Sequence, residues 1–125
     1  PTIPQPAADA WSNFESACAR LIPSGNSDTG GSLSLSRIEA HYFVNDMFLA
    51  PRYILDNVAK IAHLPCVMVQ GRYDVICPPW TAASLSRAWP GSELVMVNDA
   101  GHSAFEPGIR KALVKATDQM RQINQ

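Results

Sequence analysis

Two short runs, Cys66-Val67-Met68-Val69-Gln70-Gly71 and Glu93-Leu94-Val95-Met96-Val97, constrain this chain more than any other feature. Neither alternates polar with apolar residues, so each reads as a strand buried on both faces, in a sheet covered by helices. Between them Pro78-Pro79 opens a helical segment, Trp80–Trp89, which Pro90-Gly91 ends. After the second run Ala104–Arg121 reads as a helix with Ile109, Leu113, Ala116 and Met120 in register, and a shorter helix over Ile54–Ala62 precedes Pro65. Strand, helix, strand, helix is a parallel α/β unit with right-handed crossovers.

The pattern before residue 54 is different. Trp11, Phe14, Cys18, Leu21 and Ile22 recur at helical spacing, which predicts a helix from about Ala7 to Leu21 once Pro4 and Pro6 have blocked an earlier start. Leu35, Ile38, Tyr42 and Phe43 do the same over Leu33 to Phe48. The stretch Pro23–Ser36 between them is dense in Ser, Gly, Asn and Asp and reads as a loop, and its Gly30-Gly31 lacks the Gly-Lys-Ser/Thr frame of a phosphate cradle. Glu15 lies four residues from Trp11, and Glu39 lies three and four from Tyr42 and Phe43. Both carboxylates thus sit on the margins of apolar stripes, as surface glutamates beside a buried face or as ligands for a charged group.

Ten Lys and Arg against eleven Asp and Glu give a formal charge of −1. A balance this even offers no basic face for nucleic acid or for an anionic membrane. The longest apolar runs fall far short of the roughly 18 residues of a spanning helix. Cys18, Cys66 and Cys77 form no C-x-x-C pair, so neither a disulfide framework nor a metal site is expected, and a reducing, cytoplasmic setting fits. Nothing in the pattern calls for a cofactor.

In open parallel sheets the reactive groups gather past the carboxyl ends of the strands. Asp74 follows the first strand and His102 the second, 28 residues apart in sequence. A histidine acting as general base needs its other ring nitrogen held by a carboxylate, and this pair could supply that arrangement. The alternative is a turn-capping aspartate and an unrelated loop histidine.

The segments Gly71-Arg72-Tyr73-Asp74-Val75-Ile76-Cys77-Pro78 and Asp99-Ala100-Gly101-His102-Ser103-Ala104-Phe105-Glu106-Pro107 resemble the acid and histidine motifs of the α/β-hydrolase superfamily. Together with Ala10-Trp11-Ser12-Asn13-Phe14-Glu15 and Arg37-Ile38-Glu39-Ala40-His41-Tyr42-Phe43, they resemble the prolyl aminopeptidases (proline iminopeptidases) over nearly the whole chain. That resemblance implies a serine peptidase acting on peptides with an N-terminal proline, a helical cap portion in residues 1–53, and the C-terminal part of an α/β-hydrolase core in residues 54–125. It implies Asp74 as triad acid, His102 as general base, Glu15 and Glu39 as ligands of the substrate's amine, and Tyr42, Phe43 and Cys77 near the proline pocket. A free Cys77 would account for sensitivity to thiol reagents, or it is a small buried thiol.

One element of the superfamily pattern is missing from these 125 residues. The G-x-S-x-G elbow that carries the nucleophile has no counterpart, because Gly31-Ser32-Leu33-Ser34-Leu35 lacks its second glycine and a preceding strand. The expectation is therefore the C-terminal portion of a longer hydrolase, whose N-terminal portion supplies the serine. Two other readings are an esterase or epoxide hydrolase with a similar tail and a non-catalytic module of the same fold. Uncharged substrates would leave the two glutamates without a purpose.

Overall fold

The computed structural model describes residues 4–22 and 32–123. Helix α1 runs Gln5–Ala19, starting earlier than expected because Pro4 is the N-cap and Pro6 sits in the first turn, where a missing N–H breaks no hydrogen bond. Helix α2 runs Leu33–Val44, and the Ser32 hydroxyl caps it by accepting from the Leu35 N–H at 3.3 Å. The last residues of the expected loop are thus a cap and a first helical turn, while residues 23–31, including Gly30-Gly31, lie outside the described residues.

Helix α2 was expected to reach Phe48 and stops at Val44. Asn45 ends it by turning its backbone N–H onto the Tyr42 and Phe43 carbonyls and its side-chain amide onto the His41 carbonyl at 2.8 Å. Asp46, Met47 and Phe48 then take φ of 50°, 56° and 57°, left-handed values that cannot propagate a right-handed helix. The expected helix over Ile54–Ala62 is likewise two pieces, α3 at Tyr53–Asn57 and a 3₁₀ turn at Val58–Lys60. The break falls at Asn57, whose side-chain amide donates to the Tyr53 carbonyl at 2.8 Å.

Strands β1 (Val67–Gly71) and β2 (Glu93–Val97) pair in parallel, in a register that sets Val67 against Glu93 and Gly71 against Val97. Helix α4 (Pro79–Ala88) makes the crossover, and α5 (Pro107–Ile123) follows β2. Each of these helices packs on both strands without touching the other. Two helices about 10 Å wide could not share one face of a two-stranded ribbon without meeting, so they lie on separate sides. Ile109 and Ala116 carry the buried stripe of α5, with Met120 half-buried and Leu113 more exposed.

Burial is shallower than the sequence predicts. Val67, Met68 and Val69 are half-buried rather than enclosed, as is β2 from Leu94 to Val97. The expected apolar faces of α1 and α2 are largely open, with Phe14 61% and Ile38 56% exposed. Two helices packed on each other cover only their shared seam, where Ala8 and Ser36 are the buried residues. Among the described residues no helix is long and apolar enough to cross a membrane.

Beyond the ladder the two strand ends stay zipped. The Arg72 N–H donates to the Val97 carbonyl at 2.9 Å, the Tyr73 N–H to the Ala100 carbonyl at 3.0 Å, and Arg72 Nε to the Asn98 side chain at 2.7 Å. Gly71 allows this approach, because a Cβ there would stand 1.9 Å from the Gly101 carbonyl oxygen. The Ala100 carbonyl oxygen would be 2.7 Å away, and both oxygens are backbone, which cannot swing aside. Gly71→Ala should therefore lower unfolding stability by about 3 kcal/mol, read by urea titration of circular dichroism, whereas Gly91→Ala, with open space around it, should cost only the strain of its +83° φ.

Candidate active site

Asp74 stands three residues past the end of β1, in the tight turn Arg72–Cys77, and is only 7% exposed. Its Oδ1 accepts the N–H groups of Ile76 at 3.0 Å and Cys77 at 2.7 Å, an Asx-type closure of its own loop. Its Oδ2 accepts from the Gln70 side-chain amide at 3.2 Å and lies 3.0 Å from His102 Nδ1. These four contacts hold the carboxylate in one orientation. An acceptor at Nδ1 selects the tautomer with its proton there and leaves Nε2 as the basic nitrogen. The His102 side chain is 39% exposed, and among the described residues nothing hydrogen-bonds Nε2. Such a pair can take a proton from a hydroxyl and return it to a leaving group.

The sequence reading missed Gln70. A lone amide at a buried position in an apolar strand was the available signal, since such a group must find partners. Its nitrogen also reaches the carbonyls of Cys77 at 3.0 Å and Gly71 at 3.2 Å, so it ties the strand end to the aspartate loop. A second missed contact has no side-chain signal at all. The Ala19 carbonyl, the last of α1, accepts from both the His102 N–H at 3.0 Å and the Ser103 N–H at 2.7 Å. These two hydrogen bonds to one oxygen fasten the end of α1 to the histidine loop.

Glu15 lies one turn before that junction. Burial pushes its carboxyl above the ordinary range, the charge of Glu39 pushes it further, and His102 pulls the other way. The two glutamates and the histidine thus share one electrostatic neighbourhood, although 87 residues separate Glu15 from His102 in sequence. Glu39 is anchored from α1, accepting the Trp11 indole N–H on Oε2 at 2.9 Å. Phe43 meets Trp11 edge-on at 6.1 Å between centroids, on the same seam. Tyr42 instead packs against Phe48 at 5.4 Å and His41 at 6.1 Å, about 100° around the helix from Phe43.

Cys77 is exposed, which removes the buried-thiol alternative. Desolvation pushes its thiol upward, and the neighbouring Asp74 charge adds to the shift. Two grooves of about 620 and 730 Å³ run beside α2, the first lined by Phe43, Met47 and Tyr53 among others, the second by Arg37, His41 and Tyr42. Neither is lined by Asp74, His102 or the glutamates. Among the described residues no group of three His, Cys, Asp or Glu side chains is placed to hold a metal ion.

Comparison with known proteins agrees with this architecture. The sequence model of the TAP-like protein family, an α/β-hydrolase family, matches residues 49–120, which contain both strands, Asp74 and His102. The chain belongs to this family. Its fold is accordingly a partial α/β-hydrolase fold, helices flanking a small parallel sheet. Outside the matched segment the similarity continues. The chain is 48% identical over 121 residues to a proline iminopeptidase of Arabidopsis thaliana, covering 92% of this chain and 32% of the relative. It is 49% identical over 119 residues to a probable proline iminopeptidase of Leptolyngbya boryana, covering 90% and 37%. A proline iminopeptidase of Neisseria gonorrhoeae is 46% identical over 116 residues, covering 91% and 37%. The TAP-like chain described here spans about a third of the length of these curated relatives.

The raised thiol of Cys77 gives a direct chemical test. The thiolate is the reactive form, so iodoacetamide at neutral pH should alkylate Cys77 more slowly than an unstructured cysteine peptide. Asp74→Asn, which removes the repelling charge, should speed the reaction several-fold, followed by peptide mass spectrometry. Equal rates in the two chains would mean that the carboxylate does not govern the thiol.

Proposed function

We propose that this chain is the C-terminal portion of a serine peptidase that releases N-terminal proline, and that it supplies the triad acid, the general base and the amine-binding carboxylates. The observation that carries this reading is the 3.0 Å contact between His102 Nδ1 and an Asp74 oxygen whose partner oxygen is already saturated by its own loop. In the proposed reaction a serine from a segment outside these 125 residues attacks the prolyl carbonyl. His102 Nε2 takes the serine proton and passes it to the departing amine, while Asp74 stabilises the imidazolium between those steps. Residues 1–53 serve as the cap portion and residues 54–125 as the core portion. A cytoplasmic, reducing setting suits the three free thiols.

Charge decides the substrate class. Burial and the Glu39 charge both raise the proton affinity of Glu15, so a cation between the two carboxylates is favoured, and a prolyl terminus offers a secondary ammonium with two N–H donors. Glu39 Oε2 is committed to Trp11, so its other oxygen and Glu15 are the acceptors for that ammonium. Phe43, on the Trp11 seam, is the nearer wall for the pyrrolidine ring, with Tyr42 and Cys77 contributing at the margins of the pocket. The fit favours a peptide with a free N-terminal proline over an ester or epoxide.

The reading is tested in the complete hydrolase. Each charge-assisted hydrogen bond is worth about 1.5–3 kcal/mol, so Glu39→Gln should lower kcat/KM for a prolyl amide by roughly tenfold to a hundredfold and leave a small neutral ester nearly unaffected. Equal loss on both substrates would assign Glu39 to the fold, and no loss would end the amine-binding reading. The 125-residue chain by itself should not turn over a chromogenic prolyl amide, because His102 has no hydroxyl to activate. Turnover abolished by His102→Ala would overturn the shared-triad reading.

A further inference from the structure

We propose that Glu106 is a positioning residue, setting the His102 imidazole onto Asp74 by gripping the backbone N–H of Gly101. The inference rests on His102 being the general base, and it goes beyond that reading in naming what aims the ring. Glu106 is a buried carboxylate, 8% exposed, whose Oε1 accepts the Gly101 N–H at 2.7 Å. Its backbone belongs to a different element. The Glu106 carbonyl accepts the Arg110 N–H at 2.9 Å in the first turn of α5, and its own N–H closes a turn onto the Ser103 carbonyl at 3.1 Å. The side chain therefore reaches back across its own turn to the residue preceding the histidine.

The consequence is geometric. The two peptides flanking Gly101 are each pinned, the one before it at the Gly101 N–H by Glu106 and the one after it at the His102 N–H by the Ala19 carbonyl. From beneath, the Gly101 carbonyl fills the space where Gly71 lacks a Cβ. Gly101 is itself tightly packed, since a Cβ there would stand 3.2 Å from Glu106 Oε1 and 3.1 Å from the Leu21 nitrogen. With those three contacts in place the Cα–Cβ direction of His102 is fixed, and Nδ1 meets Asp74 Oδ2. A residue that only closed the turn would not need a carboxylate aimed at the neighbouring backbone. Buried, such an acceptor makes one of the stronger hydrogen bonds available to an N–H. A displacement of about 1 Å at a base can cost on the order of a hundredfold in rate, which is what this grip guards against.

The test reads the His102 tautomer in the full 125-residue chain by ¹⁵N NMR of labelled histidine, alongside amide exchange. In the unsubstituted chain His102 should show the Nδ1–H tautomer, and the Gly101 amide should exchange as slowly as the β1–β2 ladder amides. Free exchange at Gly101 overturns the proposal without any variant. Glu106→Asp keeps the charge at the start of α5 but falls short of Gly101, so it should lose the single-tautomer signature while the ladder amides stay protected. Glu106→Gln keeps an oxygen in reach and should restore it. Retention of the signature in a folded Glu106→Asp chain overturns the proposal, and if that variant does not fold, the Gly101 exchange rate decides. Asp74→Asn is the control for the underlying reading. An unchanged signature there removes the Asp74–His102 pair itself, whereas loss there with retention in Glu106→Asp removes only the role of Glu106.

Discussion

The meeting of the Asp74 and His102 loops depends on two glycine backbones touching. Gly71 ends β1 and Gly101 precedes the histidine, and no side chain fits between them. Parallel pairing of β1 with β2 brings the two chains to that point in register, with Gly71 opposite Val97. The hydrogen bonds from Arg72 and Tyr73 then carry the pairing beyond the strands, so that the aspartate and histidine turns descend side by side. Rigid sheet ends hold catalytic groups more firmly than free loops do, and here the loops are extensions of the ladder.

A second layer of order comes from helix α1. Its final carbonyl holds two N–H groups of the histidine loop, and its next turn back carries Glu15. The carboxylate proposed to read the substrate's amine and the base proposed to drive the reaction are thus connected through a few backbone bonds. Shallow burial of the apolar faces of α1, α2 and the sheet gives the complementary observation. These surfaces are more apolar than an isolated small domain ordinarily displays, and the curated relatives are about three times as long.

The sequence carried the α/β unit well, because unbroken apolar runs flanked by Pro and Gly have few other uses. β2 falls at Glu93–Val97 as expected, and β1 begins one residue after Cys66. It misjudged helix ends, where single side chains override periodicity. Asn45 and Asn57 each cap a carbonyl of the turn before them, and the apolar residues beyond, Met47 and Phe48, kept a helical rhythm on a backbone that had already turned left-handed. An Asn-Asp pair tolerates that conformation and was the readable warning.

What the sequence determined by itself was the chemistry available: an Asp and a His each just past an apolar strand, and two glutamates on the margins of aromatic stripes. What only the tertiary structure decided was which of these groups act together. Register between strands turned a separation of 28 residues into a 3.0 Å contact. Helix packing put Glu39 on the Trp11 indole, Phe43 against the same indole, and Glu15 in the field of both Glu39 and His102. Gln70 and Glu106 acquired their partners only through folding, because a buried amide or carboxylate must be satisfied, yet its partner is chosen by distance in space rather than along the chain.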